Sequence, residues 1–148
     1  QGSLYVGTKS SVATAEKIYK RSPTAYTYSA VFTGVGAGGN ASVSHLVEYS
    51  NALYAAQYHA TAPTIHIEKS TDGTTWSTDR DVDATDGGVA GNLAGGSIVG
   101  PNTDLLFVFR STAVGAADGF IMRLASGTWT KVSTDNYLGP IALLVQKT

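Results

Sequence analysis

Ser70-Thr71-Asp72-Gly73-Thr74-Thr75-Trp76 is the stretch from which the fold is read. An extended run, Thr64-Ile65-His66-Ile67-Glu68-Lys69, leads into it, and Ser77-Thr78-Asp79-Arg80-Asp81-Val82 leads out. Asp-Gly between two extended runs is a strong hairpin signal, because both residue types tolerate the positive φ of a tight turn. Ser70 and Asp72 can hydrogen-bond backbone amides inside the turn, as Asx-type turns do. Trp76 is then free to pack against a neighbouring strand.

Two further segments align with this one, so the chain is a repeat. The first comprises residues 3–8, 16–22 and 25–32, the second 52–58, 64–70 and 75–83, and the third 104–110, 119–124 and 128–132. Tyr28, Trp76 and Trp129 fall at the same point of each unit, 48 and 53 residues apart. Tyr5, Tyr54 and Phe107 align likewise as a repeated ring in the first of the three strands. An additional strand precedes the second unit (43–49) and the third (93–99). None precedes the first, but 138–145 resembles 93–99. With strands labelled A to D, the order is BCD, ABCD, ABCD, A. Glycine-rich stretches at 34–40 and 86–92 suit the crossings between units, and 111–118 reads as a long hairpin loop.

The central turn resembles an Asp-box, Ser-x-Asp with an optional residue before Gly-x-x-Trp, here Ser70, Asp72, Gly73 and Trp76. Asp-boxes, also called BNR repeats, mark hairpins of β-propeller blades in sialidases and in many unrelated proteins. The first and third units keep the hairpin but degrade the box to Ser22-Pro23-Thr24 and Ala125-Ser126-Gly127. The resemblance implies an all-β propeller of four-stranded blades, with the box in a structural role at the blade periphery. One domain over 1–148 is expected, its blades covering 3–33 plus 138–147, 42–84 and 93–134.

Composition narrows the function classes. The hydrophobic fraction is 43%, whereas charged residues make up 14%, low against a typical quarter. Gly, Ala, Ser and Thr fill the difference, which suits hairpins and an extracellular or virion surface. Net charge is -1 with no basic run, so the electrostatic footprint of a nucleic-acid binder is missing. No apolar run reaches the length of a membrane-spanning helix. Without cysteine there is no thiol nucleophile, disulfide or Cys-based zinc site. Gln1-Gly2-Ser3 looks like the remnant of a cleaved expression tag.

Each candidate site in the sequence has a structural alternative. Sialidases need an arginine triad, a Tyr-Glu nucleophile pair and an Asp acid, with an Arg-Ile-Pro motif. This sequence has four arginines (Arg21, Arg80, Arg110, Arg123), no Arg-Ile-Pro, and only Glu16, Glu48 and Glu68 as glutamates. Glu48-Tyr49 is an adjacent pair with nothing to assemble a triad around it, so no catalytic residue is assigned. His45, His59 and His66 match no metal-ligand spacing; His45 lies on an inner strand from which it could reach a propeller axis. Asp79, Asp81, Asp83 and Asp86 resemble the opening of a calcium loop but lack its glycine and closing glutamate, and read instead as a solvated acidic edge that discourages aggregation. No cofactor or metal is expected. Tyr5, Tyr54, Phe107 and His45 remain as ligand candidates, since repeated rings can stack sugars. Propeller lectins usually also repeat an Arg and a Glu beside the ring, and this chain does not. Asn40-Ala41-Ser42 is a glycosylation sequon that matters only in a secreted eukaryotic chain.

Three blades cannot close a ring, because propellers usually have about 4 to 8. The sequence therefore predicts a homodimer of six blades, in which 138–145 of each chain supplies the inner strand beside 4–8 of the other. The expected function is non-catalytic binding or scaffolding at an extracellular or virion surface, with glycan (carbohydrate) binding as its sharpest form. A fragment of a sialidase-like glycoside hydrolase and a structural module of a phage tail are the alternatives.

Overall fold

The computed structural model describes residues 3–11, 16–34, 41–59, 64–82, 92–99, 104–111 and 120–132. Its twelve described strands are β1 (Tyr5–Gly7), β2 (Lys9–Ser10), β3 (Lys17–Arg21), β4 (Tyr28–Thr33), β5 (Ala41–Tyr49), β6 (Ala52–His59), β7 (Thr64–Ser70), β8 (Ser77–Asp81), β9 (Asn92–Val99), β10 (Leu105–Ser111), β11 (Phe120–Ala125) and β12 (Thr128–Lys131). They form three antiparallel sheets, none of them closed: β1-β3-β4 (the first sheet), β2-β5-β6-β7-β8 (the second) and β9-β10-β11-β12 (the third).

Nearly all neighbours in a sheet are neighbours in sequence, as short tight turns dictate. Ser50 and Asn51 carry φ of 48° and 60° between β5 and β6. Ser126 and Gly127 do the same between β11 and β12, with φ of 50° and 78°. Positive φ at both central residues matches the right-handed twist of the flanking strands. Among the described strands, β2 departs from the expected order. After Thr8 the chain leaves the first sheet and pairs Lys9 with Ser42 and Ser10 with Ala41, adding a fifth strand to the second sheet. The inner strand expected at 138–145 lies outside the described residues.

The sheets stack in chain order, and alternation of side chains along each strand decides what faces what. Between the first and second sheets, Ile18, Val43 and Ala55 are buried, with Tyr5, Val31, Phe32, Leu46 and Trp76 packed around them. Between the second and third sheets lies the larger core. It includes Tyr54, Ala56, Ile65 and Ile67 from one side and Leu105, Phe107, Phe109, Met122 and Leu124 from the other. The middle sheet is thus apolar on both faces, and neither interface could persist without its neighbour.

The register resolves the repeat at the level of single residues. Leu53 opposes Ser70, Leu105 opposes Leu124, and the Leu4 carbonyl accepts the Arg21 amide. Arg21 opposes Tyr28 and Leu124 opposes Trp129, while Trp76 continues the Lys69–Ser77 register opposite Ser70. Leu4, Leu53 and Leu105 are therefore equivalent, as are Tyr28, Trp76 and Trp129. Trp76 packs back onto the first sheet, its ring 6.0 Å from Phe32. Trp129 packs back onto the second, 6.2 Å from Tyr54. Two bulges match as well: Val31 is the extra residue between Ile18 and Tyr19 partners, and Asp79 is the extra residue between Ile67 and Glu68 partners. Each lies three positions after its unit's aromatic residue.

The same register corrects the alignment of Tyr5, Tyr54 and Phe107. Tyr5 and Tyr54 each follow the equivalent leucine and face the next sheet. Phe107 stands one position further on and faces back. A one-residue shift moves a strand side chain to the opposite face. Tyr54 and Phe107 consequently enter one interface from opposite sides and meet at Trp129, 6.2 Å and 6.0 Å from its ring.

Candidate functional site

The Asp72 turn is built from hydrogen bonds that its sequence supplies. Ser70 Oγ accepts the Gly73 amide at 2.9 Å and donates to Asp72 Oδ1 at 3.1 Å. Oδ1 also accepts the amides of Thr74 and Thr75, each at 2.7 Å, and Oδ2 accepts Thr75 Oγ1 at 2.9 Å. The Thr75 amide first, then the Thr74 amide and the Thr75 hydroxyl, hold the Asp72 carboxyl well below the usual carboxylate range. Gly73 has φ of 70°, and a methyl group there would run into Tyr5 Oη. Glycine is thus required twice, by conformation and by the tyrosine of the adjoining sheet.

A cleft of about 330 Å³ opens where this turn meets the first sheet. Ser3 and Tyr5 form one wall, and Ser70, Thr71, Asp72 and Gly73 another. The β5–β6 hairpin contributes Glu48, Asn51, Ala52 and Leu53. Hydroxyls, an amide and two carboxylates thus converge beside one aromatic ring. That set can hydrogen-bond a polyhydroxylated ligand. It offers no paired nucleophile and base, because Asp72 already accepts four internal bonds. The sequence pairs Glu48 with its neighbour Tyr49 rather than with this cleft, and no motif in it marks Asn51. The signal was present in Ser50-Asn51, a two-residue hairpin of the kind that brings Glu48 to the level of the Asp72 turn.

The ligand candidates are dispersed. Tyr5 lines the cleft, and Lys20 Nζ lies 5.6 Å from its ring centre. Tyr54 and Phe107 are buried in the core, so neither ring offers a free face for stacking. Lys69 Nζ sits 5.4 Å from the Tyr54 ring and 3.7 Å from Asp79. His45 is half-buried opposite Ala56, on the side facing the third sheet, and burial lowers its pKa. Asp79 accepts the Trp129 indole N–H at 2.7 Å across the sheet interface, so it acts as a structural acceptor. Asp83 and Asp86 lie outside the described residues. Of the glutamates, Glu16 and Glu68 are buried. Gln57 Nε2 donates to Glu16 Oε1 at 2.8 Å, and Thr78 Oγ1 donates to Glu68 Oε1 at 3.0 Å. Burial raises the Glu68 pKa, and the Thr78 bond offsets part of the rise. Among the described residues no three His, Asp or Glu side chains are grouped to hold a metal ion.

No protein-family model matches this chain, and neither a curated protein nor a solved structure does.

Proposed function

We propose that this chain is a non-catalytic binding and scaffolding module at an extracellular or virion surface, built as a run of propeller blades that is completed by assembly. The observation that carries this reading is the unequal fate of three equivalent aromatics. Trp76 and Trp129 each cover the preceding sheet, whereas Tyr28 points outward from the first sheet and is 51% exposed. Leu4 and Val6 on that face are 49% and 40% exposed. A monomeric soluble domain rarely leaves such a face to water unless it is an interface. The edge of the first sheet supports the same reading. Among the described strands β1 is paired only with β3, where the other two sheets add a further strand. The sequence 138–145 has the pattern to fill that edge.

For binding, the cleft beside the Asp72 turn is the favoured place, and a glycan fits its hydroxyl, amide and carboxylate lining. A glycan array on the purified chain tests this. Saturable binding is expected without release of sugar, and Glu48→Ala should weaken it at least tenfold. A blank array would remove the glycan reading, and release of sugar that Glu48→Gln abolishes would replace it with a hydrolase. A structural part of a phage tail agrees with the same uncovered face and the same low charge.

A further inference from the structure

We infer that a second copy of this chain covers the outward face of the first sheet, head to tail, with Tyr28 of one copy seated on Val132 of the other. The inference rests on reading the three sheets as successive propeller blades, and names the partner that completes them.

The chain itself shows twice what belongs on this face. Leu4, Val6, Arg21 and Tyr28 point away from the second sheet, and Leu53, Ala55, Ser70 and Trp76 are their equivalents one unit later. The latter lie against the first sheet, where the Trp76 ring meets Phe32 and Val31 packs on the same core cluster. One unit further on, Leu105, Phe107, Leu124 and Trp129 lie against the second sheet through Tyr54 and Asp79. In both interfaces the aromatic residue meets the forward face of the preceding sheet near the bulged position, Val31 in one case and Asp79 in the other. The equivalent of Val31 and Asp79 in the third sheet is Val132, three residues after Trp129. Val132 is 48% exposed, and its amide continues the sheet by donating to the Ile121 carbonyl at 2.9 Å. The unmatched aromatic residue and its unmatched seat are thus found at opposite ends of one chain. A surface that is the forward half of an interface at one end and the backward half at the other associates head to tail, and forms a ring when the rotation closes.

The chemistry of the seat agrees with its occupant. Trp129 donates its indole N–H to Asp79, whereas Trp76, whose ring lies 6.0 Å from Phe32 next to the bulged Val31, has a buried indole nitrogen without a partner among the described residues. Tyr28 can pack its ring on Val132 and leave its hydroxyl in water, so an apolar seat costs it no buried donor. Two copies give six sheets, within the usual range of about 4 to 8 blades, whereas three copies exceed it. The ring therefore closes at two.

The chain has no cysteine, so introduced thiols report only on their own neighbours. Tyr28→Cys and Val132→Cys variants, co-expressed and treated with a short bismaleimide, should give a covalent dimer joining the two different positions. Either variant alone should give none. A covalent dimer from Tyr28→Cys alone would mean like faces meet and would overturn head-to-tail docking. A cross-link within a single chain of the doubly substituted protein, or a ladder beyond two chains, would overturn the partner or the closure. Separately, Tyr28→Asp should raise the dissociation constant of the dimer at least tenfold, with the circular dichroism spectrum unchanged. Glycan binding by the dissociated variant separates this inference from the binding reading: cross-linking with a blank array would sink glycan binding and spare the second copy, whereas binding without cross-linking would sink the second copy and spare the glycan site.

Discussion

Asp72 shows how much one exposed side chain can organise. Its carboxylate accepts two amides and two hydroxyls, and all four bonds favour the anion. The folded state therefore binds a proton at Asp72 less readily than the unfolded chain does. The resulting stabilisation is complete above the ordinary carboxylate range and is withdrawn as pH falls through and below it. Urea unfolding of the wild type and of Asp72→Asn should show the largest stability gap near neutral pH, narrowing steadily toward pH 2. A gap independent of pH would mean that the bonds do not depend on charge. Glu68 has the opposite sign. Its burial disfavours the anion, so ionisation there works against the fold as pH rises through its raised pKa.

At the scale of strands and sheets, packing is read from side-chain parity. Phe107 is fully buried between the second and third sheets and stacks near Phe109 at 6.3 Å. Phe107→Ala should cost about 3–5 kcal/mol, from lost transfer energy and a residual cavity. Guanidinium unfolding measures this, and a loss below about 1 kcal/mol would mean that the interface is loose. The sequence made the hairpins legible because turn chemistry is local: Asp72-Gly73 and Ser126-Gly127 declare themselves. The Tyr28, Trp76 and Trp129 equivalence was also legible, since all three are aromatic at nearly constant spacing. The facing of Phe107 was not, because repeats of unequal length admit a one-residue shift and only the hydrogen-bonded register fixes it. The cleft escaped for a related reason. Tyr5, Glu48, Asn51 and Asp72 come from three separate turns and strands, and no linear motif joins them. The β2 strand was hidden because two residues carry no period.

For the whole molecule, the unequal exposure of equivalent residues matters more than any single contact. Three sheets stacked in order have two outward faces, and a chain built from repeats leaves those faces complementary to each other. The aromatic–seat pairing is satisfied inside the chain at two places and is open at the third, between Tyr28 and Val132. An account in which a second copy closes that gap makes one demand on the purified protein, and static light scattering at micromolar concentration tests it most directly. The predicted mass is twice the 15.3 kDa of the chain, falling to a single chain when 138–148 is deleted. A stable species of one chain mass in the intact protein would contradict the account, as would an unchanged dimer after the deletion.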